Sequence, residues 1–148
     1  MSEDTTDRIT EHAANGVLLA GRYYGLMEGI RGLLQLIIEH VFMVSDEASL
    51  LQAAERLQPS LVIVDLSFGA SDVLSLLTNV RSRARTAKLL VLSVHDEPTV
   101  VRSAIAAGAD GFVLKRALAT DLMTAVETIL SGAPYVSPAV PVLAEVGV

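Results

Sequence analysis

Short aliphatic runs alternate along the chain with longer stretches of helical periodicity. Residues 17–20 (Val-Leu-Leu-Ala), 61–64, 88–92 and 111–114 are almost continuously apolar, the pattern of strands buried on both faces. Residues 40–44 form a fifth, less regular run. A helix is predicted over 25–39, with Leu26, Ile30, Leu33, Leu34 and Ile37 recurring at helical spacing. Ser45 or Asp46 caps the next helix, which reaches Leu57 and cannot pass Pro59. After a loop at 67–71 that carries Gly69, a helix over 72–83 presents Val73, Leu74, Leu77 and Val80 inward. Glu97-Pro98 opens the following helix, with proline where its missing N–H is harmless, and Gly108 closes it. The last helix spans 120–130 and ends at Ser131-Gly132.

Five strands alternating with five helices predict an α/β fold, a doubly wound parallel five-stranded sheet covered on both faces. In such a sheet, ligands sit beyond the carboxyl ends of the strands, where the strand order reverses. Those ends are Gly21 and Arg22, Asp65, Ser93 and Lys115. The domain is predicted to cover 16–133, with a mobile tail at 1–15 and a tail or the start of a linker at 134–148.

Composition narrows the chemistry. The chain has 148 residues and no cysteine, which excludes disulfides and thiolate metal sites and suits a reducing, cytoplasmic setting. No apolar run reaches the ~18 residues of a membrane span, and the polar, acidic N-terminus is not a secretion signal. A net charge of −6 disfavours a nucleic-acid footprint. Arg81, Arg83, Arg85 and Lys88 form the one basic cluster, read as a solvated helix end. His12, His40 and His95 show no metal or catalytic spacing. Without a phosphate loop, nucleophile elbow or dinucleotide fingerprint, no catalytic residue is assigned and enzyme activity is not expected.

Three stretches carry a resemblance: Gln58 through Ser67, Leu89 through Glu97, and Ala106 through Lys115. Together with Tyr135-Val136-Ser137-Pro138, they resemble the receiver domain of bacterial two-component response regulators. The nearest branch is the one that usually carries a LuxR-type helix-turn-helix. The resemblance implies a flavodoxin-like fold and a role in phosphorelay signal transduction and transcription regulation. It makes Asp65 the phosphoacceptor, Ser93 the switch hydroxyl, Phe112 the switch aromatic and Lys115 the phosphate-contacting ammonium. The acidic pair of the family falls at Gly21 and Arg22 and is lost.

That loss bears on magnesium, which conventional receivers use and which binds through carboxylates. With a guanidinium in place of one acid and nothing in place of the other, metal affinity is expected to be very weak. No metal ligand or other cofactor is assigned, and Mg2+ is expected only if a conventional reading holds. Arg22 is expected to join Lys115 on Asp65 as a fixed ion pair. The primary expectation is therefore an atypical receiver acting through protein–protein interaction. Its partner is a histidine kinase, an output domain or a second copy in a homodimer.

The expected surfaces are residues 97–131 or the first helix, where Ile30, Leu33, Leu34, Leu36, Ile37 and Ile38 cover more than one face. Two alternatives remain open: a conventional phosphorylatable receiver of a truncated DNA-binding transcription regulator, in which Asp46 or Asp96 supplies an acid, and an anion- or small-molecule-binding flavodoxin-like module using Arg22 and Lys115. Ten residues follow Pro138, too few for a helix-turn-helix, so direct nucleic-acid contact is not expected of this chain.

Overall fold

A computed structural model describes residues 12–68 and 72–140. Among these, β1 (Val17–Ala20), α1 (Tyr24–Leu34), β2 (Val41–Val44), α2 (Glu47–Leu57), β3 (Leu61–Asp65), α3 (Val73–Arg83), β4 (Lys88–Ser93), α4 (Pro98–Ala106), β5 (Gly111–Leu114), α5 (Leu118–Leu130) and β6 (Tyr135–Val136) follow in order. The strands form one parallel sheet in the order β2-β1-β3-β4-β5-β6. After β2 the chain crosses back over β1 to reach β3, which puts the reversal of strand order between β1 and β3.

Successive side chains of a strand point to opposite faces, so one continuous apolar run feeds two cores. Leu18, Ala20, Val62, Val64 and Phe112 pack under α2, α3 and α4 with Leu50, Leu77, Val80 and Val101. Val17, Leu19, Leu61, Ile63 and Val113 pack under α1 and α5 with Met27, Ile30, Leu34, Leu122 and Ile129. Gly111 keeps the second core tight. A Cβ there would run into Ile129 Cδ1 and stand 3.0 Å from Leu90 Cδ1, so a side chain at position 111 would force Ile129 on α5 to shift.

Four expectations need correction. The sheet has six strands, because Tyr135–Val136 pairs in parallel with Gly111 and Phe112. A two-residue strand is too short to register as periodicity, yet it covers an otherwise bare β5 edge. Residues 135–140 are therefore part of the folded unit, with Ser137 fully buried and Val140 only 4% exposed.

At the other end, folding begins before residue 16. Ala13 is buried, and the Asn15 backbone N–H and Nδ2 donate to Ser60 Oγ and the Gln58 carbonyl. The rest of the two predicted tails, 1–11 and 141–148, lies outside the described residues.

The first helix stops at Leu34 rather than residue 39. The chain tightens there, with Leu36 N–H on Leu33 O and Ile37 N–H on Leu34 O, and this winding turns Ile38 into the core. In α3, Leu76 rather than Leu74 faces inward; Leu74 is 46% exposed.

The starts of α2 and α3 share one device. Asp46 accepts from Ser49 N–H at 2.8 Å and from Ser49 Oγ at 2.9 Å. Asp72 accepts from Ser75 N–H at 3.3 Å and from Ser75 Oγ at 2.8 Å. In Asp46 the backbone bond, then the hydroxyl, holds the carboxyl below the usual carboxylate range; in Asp72 the hydroxyl contributes more.

A folded pKa below the unfolded value of ~3.9 adds stability above that value, lost as pH falls through the folded pKa. Asn also caps helices but does not titrate. The double variant Asp46→Asn, Asp72→Asn is therefore expected to unfold over a shallower acid limb below about pH 4, followed by circular dichroism. An unchanged limb would show that the caps do not set acid sensitivity.

Candidate strand-end site

Three strand ends meet beyond the sheet. Asp65 ends β3 beside Leu92, and Ser93 ends β4 beside Leu114, the residue before Lys115. The parallel register thus brings Asp65, Ser93 and Lys115 to one edge although up to 50 residues separate them in sequence.

Asp65 is fully buried and anchored on both oxygens. Oδ1 accepts from Ser67 N–H at 2.9 Å and from Ser67 Oγ at 2.8 Å, closing a tight loop over its own strand end. Oδ2 lies 2.7 Å from Lys115 Nζ, an ion pair whose angle falls short of a hydrogen bond, so Oδ2 receives no hydrogen bond among the described residues. Lys115 is 15% exposed and is held on three sides. Besides Asp65, its ammonium donates to Ser67 Oγ at 3.2 Å and stands 5.5 Å from the centre of the Tyr23 ring.

Ser67 and Tyr23 are the residues that sequence reading missed. Ser67 lies two positions after Asp65, a spacing at which a serine can hydrogen-bond a preceding carboxylate, so its signal was present. Tyr23 had none, because its approach to Lys115 depends on how α1 leaves β1.

Ser93 is 1% exposed and engaged within its own loop, accepting from His95 N–H at 2.9 Å and donating to the His95 carbonyl at 3.2 Å. Phe112 is fully buried in the core under α3 and α4.

Arg22 does not reach Asp65, contrary to expectation. It is exposed, makes no hydrogen bond or ion pair among the described residues, and lines a shallow cleft of about 350 Å³ with Tyr24, Ser45 and Asp46. A Cβ on Gly21 would stand 2.5 Å from Met27 Sδ, 2.8 Å from its Cε and 2.9 Å from its Cγ, so a side chain at position 21 requires Met27 to move. Met27 is itself 1% exposed. Its thioether occupies the volume that a side chain at position 21 would need.

A buried aspartate at a β3 terminus, a lysine from the end of β5 on its free oxygen and a hydroxyl ending β4 define a receiver domain of two-component signalling. The profile of the response regulator receiver domain matches residues 23–127, starting just past Gly21 and Arg22. The chain belongs to that family.

The nitrate/nitrite response regulator protein NarL of Escherichia coli K12 is 30% identical over 131 residues, which cover 86% of this chain and 61% of NarL. The transcriptional regulatory protein MctR of Rhizobium johnstonii is 25% identical over 136 residues, 89% of this chain and 63% of MctR. The chain thus spans somewhat over 60% of these two relatives. A LuxR-family two-component response regulator from an Aurantimonas species superposes with a TM-score of 0.80 at 23% identity, covering 88% of this chain and 94% of that one. No helix among the described residues is long and apolar enough to cross a membrane.

Proposed function

We propose that this receiver is atypical and signals by presenting a protein-binding surface, with little or no magnesium-dependent phosphorylation of Asp65. One observation carries the reading: Met27 fills the space at Gly21, and the neighbouring position holds an unpaired guanidinium, where an acidic pair would bind the metal.

Magnesium takes a near-octahedral oxygen shell and draws on one or two carboxylates besides water and phosphate. Here Asp65 stands alone. No group of three His, Cys, Asp or Glu among the described residues is placed to hold a metal, and Asp46, the acid nearest Arg22 in the cleft, is committed to capping α2. Asp96 is likewise engaged, by Arg116 at 3.0 Å. These residues do not fit the ion.

What the site does instead is hold itself together. Lys115 pairs with Asp65 and bridges β3 to β5, while Ser67 orients the carboxylate. The surface for a partner is the outer side of α1 and its flanks, where Tyr23, Tyr24, Leu33 and Leu36 are 54%, 71%, 42% and 78% exposed. A second copy of this chain, a kinase or an output domain is the class of partner this surface fits, in a cytoplasmic setting. Transcription regulation, which the names of the relatives carry, belongs to this reading only through such a partner or a longer protein.

Intact mass after incubation with acetyl phosphate and Mg2+, beside a conventional receiver and an Asp65→Asn control, tests the reading. The expected result is no adduct on this chain under conditions that phosphorylate the conventional receiver. A single phosphoryl adduct abolished by Asp65→Asn overturns it in favour of a conventional, phosphorylatable receiver.

A further inference from the structure

Beyond Lys115 the chain enters a short 3-10 turn, Lys115–Ala117, which puts Arg116 directly after the residue that grips Asp65. Arg116 reaches two separate segments. Its Nη2 donates to Asp96 Oδ2 at 3.0 Å and to the Ala139 carbonyl at 3.3 Å. Asp96 belongs to the loop after β4, in which Ser93 Oγ is tied to His95. Ala139 belongs to the outgoing segment 135–140.

That segment is itself sewn to β5. Ser137 N–H donates to Phe112 O at 2.9 Å, Ser137 Oγ accepts from Leu114 N–H at 3.0 Å, and the same Oγ donates to Asp121 Oδ2 on α5 at 2.9 Å. Val140 N–H closes the segment on Ser137 O at 3.0 Å.

We propose that Arg116 is a clasp that couples the strand-end site to the outgoing segment 135–140. In the closed state one guanidinium holds the loop after β4 and the Ala139 carbonyl together while Lys115 sits on Asp65. In the open state Lys115 leaves Asp65, the 3-10 turn shifts with it, and Arg116 can no longer span both partners. The segment then loses its outer tie and keeps only the Ser137 anchor.

Coupling requires a group linked to both sites, and Arg116 directly follows Lys115 in the chain while hydrogen-bonding both the loop after β4 and the Ala139 carbonyl. The contact is also weak enough to reverse. The Arg116 and Asp96 side chains are 54% and 36% exposed, so water competes for both and the pair can open without unfolding the domain. Ser137, by contrast, is fully buried and holds the segment in either state. The coupling is independent of whether Asp65 is modified; anything that draws Lys115 off Asp65, a bound partner included, would act through it.

Amide hydrogen exchange on the full chain tests this, read at Val140 and Leu114 against β3 as an internal measure of global folding. Arg116→Ala is expected to raise exchange at Val140 about two- to fivefold, the range for an exposed pair, with β3 unchanged. Asp65→Asn, which releases Lys115, is expected to raise it by a similar factor.

The decisive comparison is the double variant. Asp65→Asn should add nothing at Val140 once Arg116 is Ala, because the connection is already cut. A purely local structural role for Arg116 predicts multiplicative effects, and that result, or no response of Val140 to Asp65→Asn, overturns the proposal. Should Arg116→Ala disturb β3, Asp96→Ala, which removes the acceptor of the guanidinium, serves as the second way to open the clasp and must give the same pattern.

Discussion

Lys115→Met is expected to lower the free energy of unfolding by about 3 kcal/mol, whereas Asp65→Asn should change it by about 1 kcal/mol or less. The asymmetry follows from burial. Asp65 is fully enclosed, and removing Lys115 leaves its carboxylate without its counter-charge and with Oδ2 facing no donor. Breaking a buried pair from one side costs about 3–5 kcal/mol. The two bonds from Ser67 persist and place this case at the lower end.

Removing the negative partner is different. Lys115 is 15% exposed and, once released from Asp65, can turn its ammonium toward water. Urea titration with an unchanged slope is the appropriate measurement. Equal losses in the two variants would mean that the pair contributes through packing and not through charge.

On the proposed atypical reading, placing acids at positions 21 and 22 should raise the affinity of the site for metal. Changing Arg22 to Asp alters the local charge by two, and against a divalent ion this is four unit-charge products. At about 1 kcal/mol each in water at 4 Å, halved at twice the distance, the gain is about 2–4 kcal/mol, or roughly thirty- to a thousandfold in affinity.

Gly21→Asp requires the Met27 side chain to move, since its Cβ would stand within 3.0 Å of Met27 Sδ, Cε and Cγ. The informative protein is therefore Gly21→Asp, Arg22→Asp, Met27→Ala, with Met27→Ala alone as the control for the cavity it leaves. Calorimetric titration with Mg2+ should show binding in the triple variant and none in the control, and acetyl phosphate should then label Asp65. If the natural chain binds Mg2+ as tightly as the triple variant, the atypical reading is wrong, and another acid serves the metal.

The alternation of apolar runs with helical periods was enough to read a doubly wound parallel sheet, because strands covered on both faces cannot alternate in polarity. The same reading placed Asp65, Ser93 and Lys115 at strand ends, since motif spacing and strand termini are both local properties of the chain. Local signals also marked the cap at Asp46 and the entry at Pro98.

What the sequence could not decide is everything that depends on packing across elements. Arg22 looked like a partner for Asp65, but a long exposed side chain goes where solvation and geometry favour it, and here that is solvent. Gly21 looked like a simple deletion of an acid, and only the fold shows that Met27, six residues later and facing the same core, occupies the space. The sixth strand and the buried Ser137 were invisible for a similar reason: two residues carry no periodicity, and their value comes from the bare edge of β5 that they cover. Strand and helix patterns are written residue by residue and survive in one dimension. Close approaches between side chains far apart in the chain exist only once the sheet and its helices have set their distances.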